Sequence, residues 1–332
     1  MTHFSYPLLD ELQIRDQINR FSVSHIPFLF IIDYKAKHGY VIRQEELSSD
    51  SIQFQFEKYH STVEAGSLKS KDLRWDIQAL NLQQYQHKFE SVQHQIQLGN
   101  SFLVNLTQPT KVKCNFTLLE LYAQSKAKYK MWLKDVLLVL SPETFVRIEG
   151  RTISSYPMKG TIDASLPNAE QIILNDPKEM AEHATIVDLI RNDLSLVAVQ
   201  VEVKRYRYIE KIKTNKQDLF QVSSEISGKL PADYYNRLGD ILFALLPAGS
   251  ICGAPKAKTL EIIQEVEGYD RGFYTGICGY FDGENLDSGV MIRFLEQDGD
   301  QLIFKSGGGI TSQSELISEY EELIQKVYVP FC

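Results

Sequence analysis

The chain has 332 residues, 43% hydrophobic and 23% charged, enough for a substantial buried core in one large domain or two. Its 43 acidic and 35 basic side chains leave a formal net charge of −8. That balance excludes nucleic acid as the main ligand, because a phosphate backbone calls for basic surface, but it leaves room for a small anion held by a local cluster. The four cysteines, Cys114, Cys252, Cys278 and Cys332, form no CxxC and no metal-ligand spacing, as expected of a reduced, cytoplasmic protein. The opening MTHFSYPLLDELQIRD turns polar where a signal peptide needs an apolar run, and the apolar stretches at 26–32 and 241–247 are too short to span a bilayer. No membrane association is expected.

In chain order, residues 28–34 read as a buried strand and the polar stretch 48–71 as a surface loop. Residues 80–99 carry a helical pattern that stops at Gly99-Asn100, and the strand-like SFLVNLTQ follows. The apolar run 136–140 is a strand, and 145–156 a hairpin turning at Gly150-Arg151. Asn175-Asp176-Pro177 predicts a helix from Lys178 to about Leu194, with an Asx cap and proline in its first turn. Alternation over 199–209 predicts another strand, and Pro255 opens a helix running to about Glu267. Residues 290–305 read as a hairpin turning at Asp298-Gly299. The last helix is expected near Ser314, with Ser312 and Glu315 as a capping box. Strands dominate without regular βαβ alternation, so the expectation is an α+β fold with mainly antiparallel sheets. Residues 1–78 are expected to form a short N-terminal region packed on a catalytic core of residues 79–332, one structural domain in all.

Two helices each carry a pair of glutamates three residues apart: Glu179 with Glu182, and Glu319 with Glu322. That spacing puts both carboxylates of a pair on one face. A bare acidic pair is usually a solvated helix face, but four carboxylates brought together need a strongly positive guest, and an all-oxygen set suits magnesium. Two glycine-rich turns, Pro247-Ala248-Gly249-Ser250 and Gly307-Gly308-Gly309, allow backbone N–H groups close to an anion. Neither has the spacing of a nucleotide-binding loop, and GxGxxG is absent, so a carboxylate is the better guess than a triphosphate.

Taken together, NSFLVNLTQ, LSPETFVRI, SYPMKGT, KEMAEHATIVDLIRNDL, LLPAGSICGAPKAKTLEII, RGFYTGICGYF, DSGVMIRF and GGGITSQSELISEYEEL, in this order, resemble the chorismate-utilising enzymes. The resemblance runs from about Asn100 to the end of the chain. It implies two antiparallel sheets packed face to face with helices outside, and chemistry on the ring of chorismate with Mg²⁺ as cofactor. By position, Glu182 and Glu322 match direct metal ligands, while Glu179 and Glu319 match groups that hold its waters or replace them. Arg293 and Tyr274 match residues that bind the enolpyruvyl carboxylate. Ser250, Thr161 and Gly307, Gly308 and Gly309 match groups around the substrate.

Glu143 matches the general acid that protonates the departing 4-hydroxyl, and His183 a histidine tied to pyruvate loss in the anthranilate-forming branch. Lys159 discriminates among the branches. It matches the lysine whose neutral amine attacks C2 in the branch that makes 4-amino-4-deoxychorismate, where anthranilate-forming members usually carry alanine. No cysteine has an amidotransferase context, so ammonia is expected from a separate glutamine amidotransferase, on the way to 4-aminobenzoate and folate. The region before residue 80 is short for the family, and no LLES-like tryptophan-binding segment is present. The alternatives are an anthranilate-forming or isochorismate-type enzyme, and, from another class, a catalytically silent chorismate-binding subunit.

Overall fold

A computed structural model describes residues 5–61, 72–78, 80–212 and 218–330. Two antiparallel sheets account for most of it. The first has ten strands, running from Leu9–Asp10 through His38–Arg43, Phe28–Ile32, Ile277–Phe281, Leu286–Val290, Thr144–Glu149 and Thr152–Ser155 to Leu219–Lys229 and Met158–Asp163, with Val199–Ile212 also pairing Leu219–Lys229. The second has eight, from Gly253–Ala254 through Leu103–Cys114, Gln301–Ile310, Phe294–Asp298, Leu137–Ser141 and Tyr129–Leu133 to Ile52–Gln55, with Trp75–Gln78 alongside Leu103–Cys114.

The two-residue period of a strand explains how the layers stack. Along Phe28–Ile32 every residue is buried. Leu29 and Ile31 join Phe54, Met131, Val139 and Phe294 in the core between the sheets. Phe28, Phe30 and Ile32 face the other way, into a core with Ile14, Ile18, Ile186 and Ile190 from the helices Glu11–Val23 and Pro177–Ser195. A strand covered on both faces reads as a continuous apolar run. The outer face of the second sheet is covered by the helices Leu82–Gln97, Lys256–Glu267 and Leu316–Gln325 at one end, and by Leu118–Gln124 at the other.

Strands from the first 78 residues lie in both sheets, so that region is woven into the sandwich rather than resting on it. The stretch 48–71 is not all loop: Ile52–Gln55 is a strand pairing Tyr129–Leu133, its polar glutamines interleaved with buried Ile52 and Phe54, while 62–71 falls outside the described residues. Val290 does not open the hairpin. It ends the strand Leu286–Val290, and the hairpin is Phe294–Asp298 with Gln301–Ile310. The capping box at Ser312 and Glu315 does not form. The helix begins at Leu316 without a side-chain cap, and the Ser314 hydroxyl instead accepts the Thr311 N–H at 3.1 Å, closing the turn that leaves the preceding strand. The Asx cap at Asp176 is present, its side chain accepting the Glu179 N–H at 3.0 Å.

Candidate active site

Two passages of the chain from one sheet to the other frame the site. Leu137–Ser141 lies in the eight-stranded sheet and Thr144–Glu149 in the ten-stranded one, so Pro142 and Glu143 make the crossing. The return passage, from Leu286–Val290 to Phe294–Asp298, runs through Met291, Ile292 and Arg293. The crossings are bonded to each other: the Val290 N–H donates to the Glu143 carbonyl and the Leu140 N–H to the Arg293 carbonyl, both at 3.1 Å. Arg293 has φ 52°, a left-handed conformation uncommon for a non-glycine residue and sustained here by the pairing around it.

Lys159 reaches the same place by a different device. The register between Met158–Asp163 and Leu219–Lys229 shifts between Met158 and Thr161, and Gly160 inside this irregularity has φ 81°. A bulge of this kind re-aims a side chain. Here the Lys159 Nζ stands 3.5 Å from Glu182 Oε2 and 3.5 Å from where a Cβ on Gly309 would lie. Gly309 is thus covered by the amine, and a side chain there would also crowd Leu103 at 2.9 Å.

Glu143, Lys159, Ser250, Tyr274, Arg293 and the backbone of residues 307–309 wall one cavity of about 130 Å³. Ser250 donates a short hydrogen bond to the Glu143 carboxyl. Burial pushes Glu143 above the ordinary carboxyl range, opposed by the Ser250 bond and by the charges of Lys159 and Arg293. Burial likewise pushes the Tyr274 hydroxyl up, so it stays protonated and able to donate. The same wall holds Lys326, which sequence reading missed. Its Nζ donates to the Gly307 carbonyl at 2.9 Å and pairs with Glu322 at 2.6 Å. Its only sequence signal is the four-residue spacing from Glu322, which by itself describes an ordinary surface ion pair.

The two acidic pairs, on the helices Pro177–Ser195 and Leu316–Gln325, stand beside residues of this wall, Glu182 by Lys159 and Glu319 with Glu322 by Gly308. Burial and then the Glu182 charge raise Glu179. Burial, Glu322 and Glu182 raise Glu319, so the two helices feel each other's carboxylates. Burial opposes ionisation of Glu322 too, but Lys326 holds it below the usual range. Glu319 Oε2 and Glu322 Oε1 lie 3.4 and 3.7 Å from where a Cβ on Gly308 would be, which places both carboxylates against the backbone of the cavity wall. Among the described residues no three acidic, histidine or cysteine groups converge at metal-ligand distance. Lys159, Lys178 and Lys326 stand against Glu182, Glu319 and Glu322 as counter-charges. In donor type the four carboxylates fit a hard oxygen-seeking dication, and their mutual repulsion favours one.

The four glutamates are not part of the cavity wall, and two further residues singled out from the sequence, Thr161 and His183, also lie outside it. Thr161 is exposed on its strand, in register with Gln221. His183 is fully buried, its Nε2 2.7 Å from the Ser224 hydroxyl, while its Nδ1 has no partner. Burial, aided by Arg207 and Lys159, lowers His183 to about 4, so its imidazole is neutral near pH 7. Cys252 and Cys278 are buried, and burial pushes the Cys252 thiol up to about 12 and that of Cys278 higher still, the opposite of an activated nucleophile.

The sheet crossings bring an acid and an arginine, and the bulge brings a lysine, to one small cavity with four carboxylates nearby, a set of groups suited to holding a small anion. The sequence matches the chorismate binding enzyme family over residues 9–331, and the chain belongs to that family. A Haemophilus influenzae relative named as an uncharacterised PabA-like protein is 46% identical over 316 residues, 95% of each chain. Aminodeoxychorismate synthase component 1 of Escherichia coli is 33% identical over 262 residues, 74% of this chain and 56% of that one, so this chain spans little more than half of that relative. Anthranilate synthase component 1 of Archaeoglobus fulgidus is also 33% identical, over 72% of this chain and 57% of the relative, so identity alone does not select the reaction. The fold matches the menaquinone-specific isochorismate synthase of Escherichia coli, with a TM-score of 0.76 at 16% identity, covering 96% of this chain and 82% of that one. Among the described residues no helix is long and apolar enough to cross a membrane.

Proposed function

We propose that this chain converts chorismate and ammonia to 4-amino-4-deoxychorismate, with Mg²⁺ as cofactor and ammonia supplied by a separate glutamine amidotransferase. The observation that carries this reading is the Lys159 amine, aimed by its bulge into a cavity that also holds a carboxyl whose hold on its proton burial strengthens. Chorismate has two carboxylates, and of the four cationic side chains in the wall Arg293 and Lys326 are the ones assigned to receive them, Lys159 being the nucleophile and Lys305 paired with Glu296. Glu179, Glu182, Glu319 and Glu322 would hold the magnesium ion, which when bound offsets the charge of the ring carboxylate.

In this reading the Lys159 amine attacks C2, both ring double bonds shift around the ring toward C4, and the C4–O bond breaks as Glu143 gives its proton to the leaving hydroxyl. Ammonia then adds at C4, the double bonds return, and the lysine leaves C2 as a free amine. Tyr274 donates to a substrate oxygen. The buried thiols with raised pKa support an outside source of ammonia, since glutamine hydrolysis of this kind uses a cysteine nucleophile.

The test is a product assay on the purified chain with chorismate, Mg²⁺ and ammonium, read by mass spectrometry with EDTA as control. Aminodeoxychorismate formed only with metal is the expected result. Anthranilate or isochorismate would overturn the role given to Lys159, and no turnover with full chorismate binding would favour a silent binding subunit.

A further inference from the structure

Behind the Glu143–Ser250 pair lies a second, smaller cavity of about 30 Å³. It shares Glu143 and Ser250 with the substrate cavity, so that pair is the partition between the two. A water molecule needs roughly 10–15 Å³ of such space, so this cavity admits one or two water-sized guests and excludes any part of a ring substrate. Asp193 also lines it, and its carboxylate pairs with Lys256 at 3.0 Å. Those two side chains are 15% and 20% exposed, so on that side the cavity is within reach of solvent.

The side chains that wall this space are selective in kind. Two are carboxyl groups, Glu143 and Asp193. Two are serines whose protons are already committed: Ser250 donates to Glu143, and Ser155 donates to the Phe145 carbonyl at 3.0 Å. The remaining lining includes Ile190, Leu194, Leu245 and Val290, which offer nothing polar from their side chains. Such side chains present acceptors, and the guest that suits them is small, cationic and rich in donors. Ammonium has four N–H donors and no acceptor.

We propose that this cavity is the waiting site for ammonium, entered from the Asp193 and Lys256 side while chorismate fills the larger cavity. The proposal rests on the amination reading and deepens it. Its proton balance closes on Glu143. In the first half-reaction Glu143 loses its proton to the departing hydroxyl, which leaves as water, and Lys159 is bonded to C2 as a secondary ammonium. In the second half-reaction ammonium gives one proton to the Glu143 carboxylate. The resulting ammonia uses its lone pair to form the C4–N bond, and the C2–N bond breaks with its electron pair returning to Lys159. Product leaves as an ammonium ion, and both Glu143 and Lys159 are back in their starting forms.

The test uses Ser155→Thr, which adds a methyl group to the small cavity and keeps the hydroxyl that bonds Phe145 on a strand where threonine is at home. The expected result is a KM for ammonium raised about tenfold or more by the overfilled site, with the KM for chorismate within about twofold of wild type. An unchanged ammonium KM, or a parallel rise in both constants, would overturn the proposal. Should that variant fail to fold, wild-type crystals soaked in thallium(I) acetate decide the matter, because thallium(I) is close to ammonium in size and scatters anomalously. A peak between Asp193 and Glu143 supports the site, and no peak there refutes it. Failure of the amination reading would look different: wild type itself would yield no amino product.

Discussion

Removing the Ser250 hydroxyl tests the acid role of Glu143 through its titration. Burial raises the carboxyl, and the Ser250 donor is first among the groups that pull it back down. A hydrogen bond to a charged group contributes about 1.5–3 kcal/mol, and one pKa unit corresponds to about 1.4 kcal/mol, so losing the bond is worth roughly one to two units. Glu143 is only half-buried, and water can replace part of the lost bond, which places the expectation near the lower end, about one unit. The sign follows from which form the bond favours. Ser250 stabilises the ionised carboxylate, so Ser250→Ala leaves the proton held to higher pH. The descending, alkaline limb of kcat/KM for chorismate, which reports loss of the acid, should therefore move upward by about one unit at saturating ammonium. Glu143→Gln provides the control: the limb assigned to the acid disappears and kcat falls by about 10²–10⁴. A limb that stays in place in Ser250→Ala, or moves downward, would refute the assignment of Glu143 as the acid.

Lys159→Ala is expected to bind chorismate with wild-type affinity by calorimetry and to yield no aminodeoxychorismate; full activity with ammonium would end its role as nucleophile. Lys326→Met removes one of the two wall cations assigned to the carboxylates, and the loss of a charge-assisted bond should weaken chorismate binding by roughly 10- to 150-fold with the fold intact by circular dichroism. The third concerns stability. Arg271 and Glu267 form a fully enclosed pair, 1% and 2% exposed, in which Arg271 donates to both Glu267 oxygens at 2.8 and 2.6 Å and also to the Asn105 and Ile251 carbonyls. Glu267→Gln strands the guanidinium, and urea unfolding should show a loss of about 3–5 kcal/mol; a loss under about 1 kcal/mol would contradict the burial argument.

Much of the site could be read along the chain because its signals are local. Asn175-Asp176-Pro177 specifies where the first acidic helix begins, and three-residue spacing then puts Glu179 and Glu182 on one face. What could not be read depends on partners far away in sequence. The strand Ile52–Gln55 hides in a polar stretch because its two apolar residues alternate with glutamines, and its identity rests on pairing with Tyr129–Leu133. Lys326 looks like half of a solvated helix pair until the strand Gln301–Ile310 brings the Gly307 carbonyl to its amine. His183 has the opposite history. Its place beside Glu182 suggested chemistry, but adjacent residues on a helix point different ways, and the imidazole enters the core against Ser224. The capping box at Ser312 was misleading because the turn after Ile310 is closed by Ser314.

The placement of the reactive groups separates what is rigid from what can be adjusted. Glu143 and Arg293 lie on the two crossings between sheets, and those crossings are bonded to each other through their backbones. Moving either would require repairing the register of two strands in different sheets, so the acid and the carboxylate-binding cation form a fixed frame. Lys159 is held differently. Its strand, Met158–Asp163, is the last in the order of the ten-stranded sheet, and the bulge that aims the amine is a local irregularity against a single neighbour, Leu219–Lys229. A change confined to that bulge can redirect or replace the amine without disturbing Glu143, Arg293 or the four carboxylates. On the amination reading, substrate binding and leaving-group departure are therefore properties of the sandwich itself. The identity of the attacking group is a property of one bulge, and for that reason the amination reading stands on Lys159 more than on any other residue of the site.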